Sequence, residues 1–496
     1  MVSEKLIIGA GLSGLVTALA LARRGHRMRM FDKRSEEQLL QSESGRSINL
    51  TVSERGLAAL ERTGLSADGV RRLGVAVTAR CVHYPDGSQG LIPYGREGEA
   101  IYSISRSEML RHWFELARRD ARIESHFSVS RVSWSDEIDS LRVLAQRQDG
   151  RTLEFVPQQL FGADGVHSMV RGRLEATGLV RVNHERFSHG YKELVLSAAR
   201  AEALGLSSNV IHAWPRADLV LMAFPNLDAS FRAILFIPEH GPCSLDSIAT
   251  HAGARRVLGQ CLGPSANPLI DALAEELSAR PAGWVSEVTC WPWAHAGRVA
   301  LLGDAAHAML PFYGQGINAI FEDCEVLDRA LERYPREPAR ALREYAESRL
   351  PDTEAIAELS RLNFRELRER PLSSDYSLHR QIERRLLALH PSRFAQIYGM
   401  VAFSSTPYRR VLEQHHWQET IIGSLVAMHW SEHELKSASF SAAVLHLLEQ
   451  HGEVAAIQDL QPRIGPISSA VTAAPGGAEA RAERRPQRAQ LGEKDL

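Results

Sequence analysis

Three segments of this chain carry residues whose types and spacing could do chemistry. Near the start, Gly9, Gly11 and Gly14 spell GxGxxG, and Asp32 closes the segment that follows, with Lys33 and Arg34 behind it. The first glycine permits a tight turn, the second lets backbone N–H groups approach a pyrophosphate, and the third lets a helix pack closely on a strand. Leu12 and Ser13 open that helix, whose N-terminus offers free donors and partial positive charge to an anion. A carboxylate at Asp32 can accept hydrogen bonds from ribose hydroxyls. This pattern indicates a dinucleotide site and alone does not separate NAD from FAD. The second segment, "LFGADGVHSMVR" (160–171), places Asp164, Gly165, Ser168 and Arg171 after an apolar strand end. The third, "LLGDAAHAMLPFYGQGINA" (301–319), has an acid, Asp304, at a strand end, then Pro311, then a helix start stripped of side chains at Gly314 and Gly316.

The elements that must position these residues follow from periodicity. Residues 5–8 and 26–34 read as strands, and 12–25 as the helix between them. Residues 53–64 and 107–119 read as helices. Residues 180–240 alternate with period two between turn signals at Pro215, Asn226 and Asp228, which predicts antiparallel strands. From about residue 325 the chain turns to helical periodicity with many charges. Residues 466–496 carry few large apolar residues and no aromatics, so a disordered tail is expected.

Bulk properties narrow the partners. The chain has 496 residues, 44% hydrophobic and 24% charged, enough for two to four domains and a large core. A net charge of -2 gives no electrostatic case for nucleic acid or an acidic membrane surface. The five cysteines, Cys81, Cys243, Cys261, Cys290 and Cys324, are scattered with no CxxC pair, so neither a disulfide framework nor a metal site is expected. No signal peptide is visible, and no apolar run approaches the roughly 18 residues of a membrane helix. A soluble, cytoplasmic protein is expected, as a monomer or homodimer.

Together the three segments resemble the fingerprints of flavin-dependent aromatic hydroxylases. The resemblance implies FAD, with Asp304 accepting hydrogen bonds from its ribityl chain, Pro311 against the flavin, and Asp164 also at the cofactor. The helix start at Gly314, Gly316, Ile317 and Asn318 would turn its N–H groups to the pyrimidine edge, where a helix N-terminus stabilises the anionic reduced flavin. Phe312, Tyr313 and Gln315 are candidates, with Pro311, for shaping the reaction space. The implied fold class is α/β plus α+β. A Rossmann-like FAD-binding domain (1–75, 102–180 and 290–330) joins an antiparallel-sheet substrate domain (76–101 and 181–289). A helical C-terminal region (331–462) and a disordered tail (463–496) follow.

Further stretches are similar to the kynurenine 3-monooxygenase family: "GRSINLTVSERGLAAL" (45–60), "YSISR" (102–106), "HGYKEL" (189–194), "HAWPR" (212–216), "LPFYGQGINAIFEDC" (310–324) and "YGMVAFS" (398–404). The similarity runs from residue 4 to about 425. It implies Arg46 and Arg106 flanking the flavin. L-kynurenine is an amino acid with an aminophenyl ketone, and its carboxylate needs a fixed cation, for which arginine gives a planar two-pronged match. The resemblance assigns that role to Arg80, with Tyr94, Asn363 and Tyr398 as the other polar contacts. The aromatic pocket would be Met222, Phe224, Ile234 and Phe236. Phe224 stands where a smaller aliphatic residue is usual, Ile234 where threonine is expected, and Tyr313 where Phe or His is usual. Such exchanges could admit a ring-substituted kynurenine or could be compensating repacking.

On this resemblance the reaction is 3-hydroxylation of L-kynurenine. Substrate binding promotes reduction of FAD by NAD(P)H, with NADPH favoured, and O2 then gives a C4a-hydroperoxyflavin attacked by the ring. No second GxGxxG unit occurs, so the nicotinamide is expected to dock transiently. His307, His415 and His416 are read as structural, and no catalytic base is nominated. Two alternatives stay open. One is a related flavin hydroxylase or halogenase on another aromatic, although "WPWAH" (291–295) lies in the wrong place for a halogenase motif. The other is a non-catalytic flavin- or ligand-binding protein.

Overall fold

The computed structural model describes residues 4–41, 48–136, 141–369 and 375–452. The region expected to be a tail, 463–496, lies outside them, as does Arg46.

Leu6, Ile7 and Ile8 are buried on both faces of their strand, as a central parallel strand requires. The strand Glu4–Ile8 pairs in parallel with Arg27–Phe31 on one side and Gln159–Gly162 on the other. Ile123–His126 and Val299–Leu301 extend the sheet in parallel, and Ala294–His295 closes one edge antiparallel. All three motif segments therefore leave the same end of one sheet, the carboxyl end at which ligands of open α/β sheets bind. The helix Leu12–Arg23 is buried along its whole length apart from Arg23, under the helices Arg106–Arg119 and Gly316–Arg333.

A second sheet has seven strands in the order Gly283–Trp291, Arg181–Leu196, Phe231–Pro238, Leu219–Pro225, Val210–Arg216, Ala79–His83 and Gln89–Pro93. Its pairs are antiparallel except one: Ala79–His83 comes from a remote part of the chain and runs parallel to Val210–Arg216. Alternation divides its two faces. Leu221, Ala223, Ala233 and Leu235 pack with the helices His251–Leu262 and Ile270–Ala279. Met222, Phe224, Ile234 and Phe236 point the other way, toward the first sheet's ligand end. The C-terminal helices are Pro338–Glu369, Tyr376–Leu389, Ile397–Phe403, Tyr408–Val426 and Ala438–His451, and Ile356, Leu359, Met400, Val401 and Tyr408 from three of them pack in one cluster with Tyr313. Among the described residues no helix is long and apolar enough to cross a membrane.

Candidate active site

The turn after the first strand is shaped by steric necessity. Gly9 has φ +106°, and a Cβ there would lie 2.4 Å from the Ala163 carbonyl oxygen. A Cβ on Gly14 would lie 1.9 Å from the Gly9 carbonyl oxygen. A side chain at Gly9 would collide with the end of the neighbouring strand Gln159–Gly162, and one at Gly14 would push the helix off the first strand and its turn. Gly11 differs: a Cβ there would meet no protein atom within 4 Å, and the residue faces a pocket.

Asp32 is buried at the end of the second strand. Its carboxylate accepts from the Ala10 N–H at 2.8 Å and from the Arg34 N–H and Nε at 2.9 Å each. Burial works against its charge, but the hydrogen bonds and charge of Arg34 outweigh burial and hold the carboxyl below its ordinary range. Asp164 goes the other way: burial pushes its carboxyl up, against hydrogen bonds from Ser168 and the Met169 N–H at 2.5 and 2.7 Å. Its carboxylate is thus engaged with the start of the helix Met169–Ala176. Arg171 ties this segment to the next by donating to the Ala305 and Val166 carbonyls at 2.9 and 2.5 Å.

The third segment forms a short turn, Asp304–His307, then a single 3-10 turn, Pro311–Tyr313, then Gly314 in the left-handed region at φ +66°. A Cβ on Gly314 would stand 2.0 Å from Thr51 Oγ1. That hydroxyl and Asn318 Nδ2 both donate to the Gly314 carbonyl at 3.0 Å. Asn318 also bridges to the strand Asn49–Val52 and beyond, through the Thr51 carbonyl and the Ser53 N–H. The 18-residue helix that begins at Gly316 is therefore locked in direction, and a Cβ on Gly316 would meet no protein atom within 4 Å.

One continuous pocket of about 640 Å³ runs along these segments and into the second sheet. Gly9, Gly11, Leu12, Ser13, Asp32, Lys33, Arg34, Arg106, Asp164, Asp304, Gly314, Gly316 and Ile317 all line it. At its far end stand Arg80, Tyr94, Tyr398, Met222, Phe224, Ile234 and Phe236, with Pro311, Phe312 and Tyr313 between the two ends. The rings of Tyr94 and Tyr398 are 4.7 Å apart, and Tyr313 stacks on Tyr398 at 5.4 Å. Burial raises the Tyr94 and Tyr398 phenols, which keeps both as O–H donors. The buried Nε of Arg80 finds no hydrogen-bond partner among the described residues.

Four candidates do not line this pocket. Gly14 faces the strand. Asn318 is spent on the backbone contacts above. Gln315 accepts from the Tyr408 hydroxyl at 3.0 Å, away from the cavity. Asn363 donates to the Phe312 carbonyl at 2.6 Å. The last three brace the loop from behind, which the spacing of residues alone does not reveal. Sequence reasoning also missed Thr51 and Ser360; the Ser360 hydroxyl donates to the Leu310 carbonyl and accepts from the Tyr313 N–H. It missed a buried charge cluster as well. Arg55 and Arg349 share Glu322, Arg349 also holds Asp323, and Asp323 holds His307. His307 is thus held within the fold; on the surface of the C-terminal helices His416 pairs with Glu358.

A family model described as FAD binding domain matches residues 3–239 and 269–360. Kynurenine 3-monooxygenase of Flavobacterium psychrophilum is 33% identical over 449 residues, covering 90% of this chain and 99% of that protein. The kynurenine 3-monooxygenase of Salinispora arenicola is 36% identical over 419 residues, covering 84% and 91%. The chain belongs to the kynurenine 3-monooxygenase family. Its fold is shared more widely: 2-methyl-3-hydroxypyridine-5-carboxylic acid oxygenase superposes with a TM-score of 0.60 at 22% identity, over 74% of this chain and 93% of that one. PqsL of Pseudomonas aeruginosa gives 0.60 at 23%, over 74% and 97%. In this member of the kynurenine 3-monooxygenase family the residues fit a flavin dinucleotide. Gly11 and Gly316 leave room where a Cβ would intrude, Asp32 is ionised, and a helix N-terminus faces the cavity at each end.

Proposed function

We propose that this chain is an FAD-dependent monooxygenase that hydroxylates L-kynurenine at the ring 3-position, using NAD(P)H and O2. The observation that carries the reading is the single pocket joining the dinucleotide turn to Arg80, a fixed cation whose buried Nε has no hydrogen-bond partner among the described residues. A buried guanidinium nitrogen left without a partner costs free energy that a carboxylate recovers.

In this reading Arg80 binds the carboxylate of kynurenine, and the Tyr94 and Tyr398 hydroxyls hold its amino-acid end. Met222, Phe224, Ile234, Phe236 and Phe312 enclose the aminophenyl ring. Gly9, Asp32, Arg106, Asp164 and Asp304 would hold FAD, which when bound and reduced would supply activated oxygen for transfer to the ring. The helix start at Gly316 would stabilise negative charge on a flavin bound in this pocket. Pro311, Phe312 and Tyr313 keep water from the reacting atoms and hold the ring at contact distance. Asn363, Gln315 and Asn318 act as positioning residues for that turn.

Phe224 and Ile234 line the pocket directly, so their departure from the family pattern bears on ring size and favours testing substituted kynurenines as well. We further read the protein as cytoplasmic, a monomer or homodimer acting on a small molecule. The compartment rests on five free cysteines, and the preference for a small molecule over nucleic acid on a net charge of -2.

The test is NADPH oxidation by the FAD-loaded protein with and without L-kynurenine, with the product identified by mass. Stimulation with one oxygen atom added at the 3-position supports the proposal. Stimulation yielding only hydrogen peroxide moves the substrate to a ring-substituted kynurenine. No stimulation overturns the kynurenine reading.

A further inference from the structure

Behind the Arg80 strand lies a cluster that the pocket does not use. Cys81, His83 and His212 place one sulfur and two ring nitrogens all within 4.8 Å of one another. Cys81 and His83 alternate on the strand Ala79–His83, and His212 stands directly beside Cys81 on the parallel neighbour Val210–Arg216. No ligand spacing is visible along the chain, because His83 and His212 are 129 residues apart. Only the parallel pairing brings them together.

The ring orientations suit coordination. His212 Nε2 lies 3.1 Å from the Ser207 carbonyl. That contact requires the proton on Nε2 and leaves the Nδ1 lone pair aimed at His83 Nε2, 2.9 Å away. A backbone carbonyl on the far nitrogen is the usual way a ligating histidine is fixed in tautomer and direction. Trp214 stacks on His83 at 4.4 Å and 11°, which restrains the plane of that ring. Cys81 and His212 are buried while His83 is half-buried, so an ion has a way in from its side. The exposed Gln89 lies there too, its amide oxygen 3.8 Å from the Cys81 sulfur.

We propose that Cys81, His83 and His212 form a site for a divalent ion of Zn2+ type, with water or the Gln89 amide oxygen as fourth ligand. Two imidazoles and a thiolate with one open position make a borderline-soft, four-coordinate set. Tetrahedral Zn2+ holds its ligand atoms about 3.3–3.6 Å apart, so the histidines spread slightly and the thiol closes in. On binding, the Cys81 S–H proton leaves to solvent and the sulfur's electron pair forms the metal bond. The proton between the two histidines moves to the other nitrogen of His83, without net release. The ion would staple the strands Ala79–His83 and Val210–Arg216. On their opposite face Arg80 and Ile211 line the active-site pocket.

The test uses the FAD-loaded full chain without a histidine tag, stripped with EDTA, then equilibrated with ZnCl2 or CoCl2 and desalted. One Zn2+ retained per chain, and a Co2+ spectrum with tetrahedral d–d bands and a sulfur-to-cobalt charge-transfer band, is expected. Cys81→Ser removes the charge-transfer band, and His83→Asn, at a half-exposed position, weakens binding about tenfold or more. Cys243→Ser changes neither. FAD content and Tm report whether each variant is folded. Retention well below one ion per chain, or retention unchanged in folded His83→Asn, overturns the site. Metal binding without kynurenine turnover leaves this site standing and removes only the substrate reading.

Discussion

The side-chain amide of Asn363 donates to the main-chain carbonyl of Phe312 across 2.6 Å, and so fixes the turn on which Pro311 and Tyr313 are carried. Asn363→Ala leaves that buried carbonyl unsatisfied, at a cost of about 1–3 kcal/mol. The turn then loses definition before the substrate anchors do. The variant is expected to divert a larger share of NADPH oxidation to hydrogen peroxide, with KM for L-kynurenine changed by less than about threefold. Product and peroxide yields at saturating substrate check this. A KM raised tenfold or more with coupling intact would instead make Asn363 a direct substrate ligand.

Arg80 sits on a strand between two neighbours rather than at the end of a flexible loop, so its guanidinium is presented with little freedom. Arg80→Lys keeps the charge and loses the planar fork. A hydrogen bond to a charged group contributes about 1.5–3 kcal/mol. KM for L-kynurenine should therefore rise about ten- to a hundredfold in Arg80→Lys, and at least as much in Arg80→Met, with FAD retention unchanged. Steady-state kinetics with parallel flavin absorbance measurements separate the two effects. Equal KM values in wild type and Arg80→Met would remove Arg80 from the substrate site.

Gly314 tests the cofactor end. An alanine there faces both φ +66° and the Thr51 hydroxyl 2.0 Å from its Cβ. The left-handed conformation alone costs a non-glycine residue about 1–2 kcal/mol. Gly314→Ala should purify with reduced FAD content and a lower Tm. Adding Thr51→Gly relieves the clash but not the backbone strain, so recovery in the double variant should be partial. Full FAD content in Gly314→Ala would mean that the turn does not touch the cofactor.

These contrasts mark what local sequence can and cannot carry. The glycine turn and Asp32 are legible because a strand, a tight turn and a helix follow one another in the chain, and the chemistry sits at their junctions. The facing of Met222, Phe224, Ile234 and Phe236 follows from period-two alternation once one face of the sheet is known to be covered. The direction of Asn363 is a different matter. It depends on how the helix Pro338–Glu369 meets the Pro311–Tyr313 turn, and no local pattern encodes that meeting. Gln315 and Asn318 fail for the same reason. Both belong to a glycine-rich helix start whose open side is set by the strand Asn49–Val52 and by Tyr408. The pairing of Cys81 with His212 is harder still, because a parallel register between remote strands leaves no mark in the spacing.

The histidines behind Arg80 give a pH signature that does not depend on catalysis. Burial lowers His83 to about 4 and also lowers His212, and it lowers His189 elsewhere in the same sheet. Between the ordinary histidine value of about 6.5 and these lowered values the unfolded chain binds more protons than the folded one. Stability contributed by these groups is thus fully present above about pH 6.5 and is lost as pH falls toward 4. Asp164, Glu287 and Glu383 pull the other way, since burial raises their carboxyls. The informative quantity is therefore a difference between variants rather than the whole curve. In EDTA, the urea midpoint of the wild type relative to His83→Gln should fall as pH is lowered from 7 to 5, because only the wild type must keep that ring neutral. A difference that stays constant over this range would mean that His83 titrates normally in the folded protein.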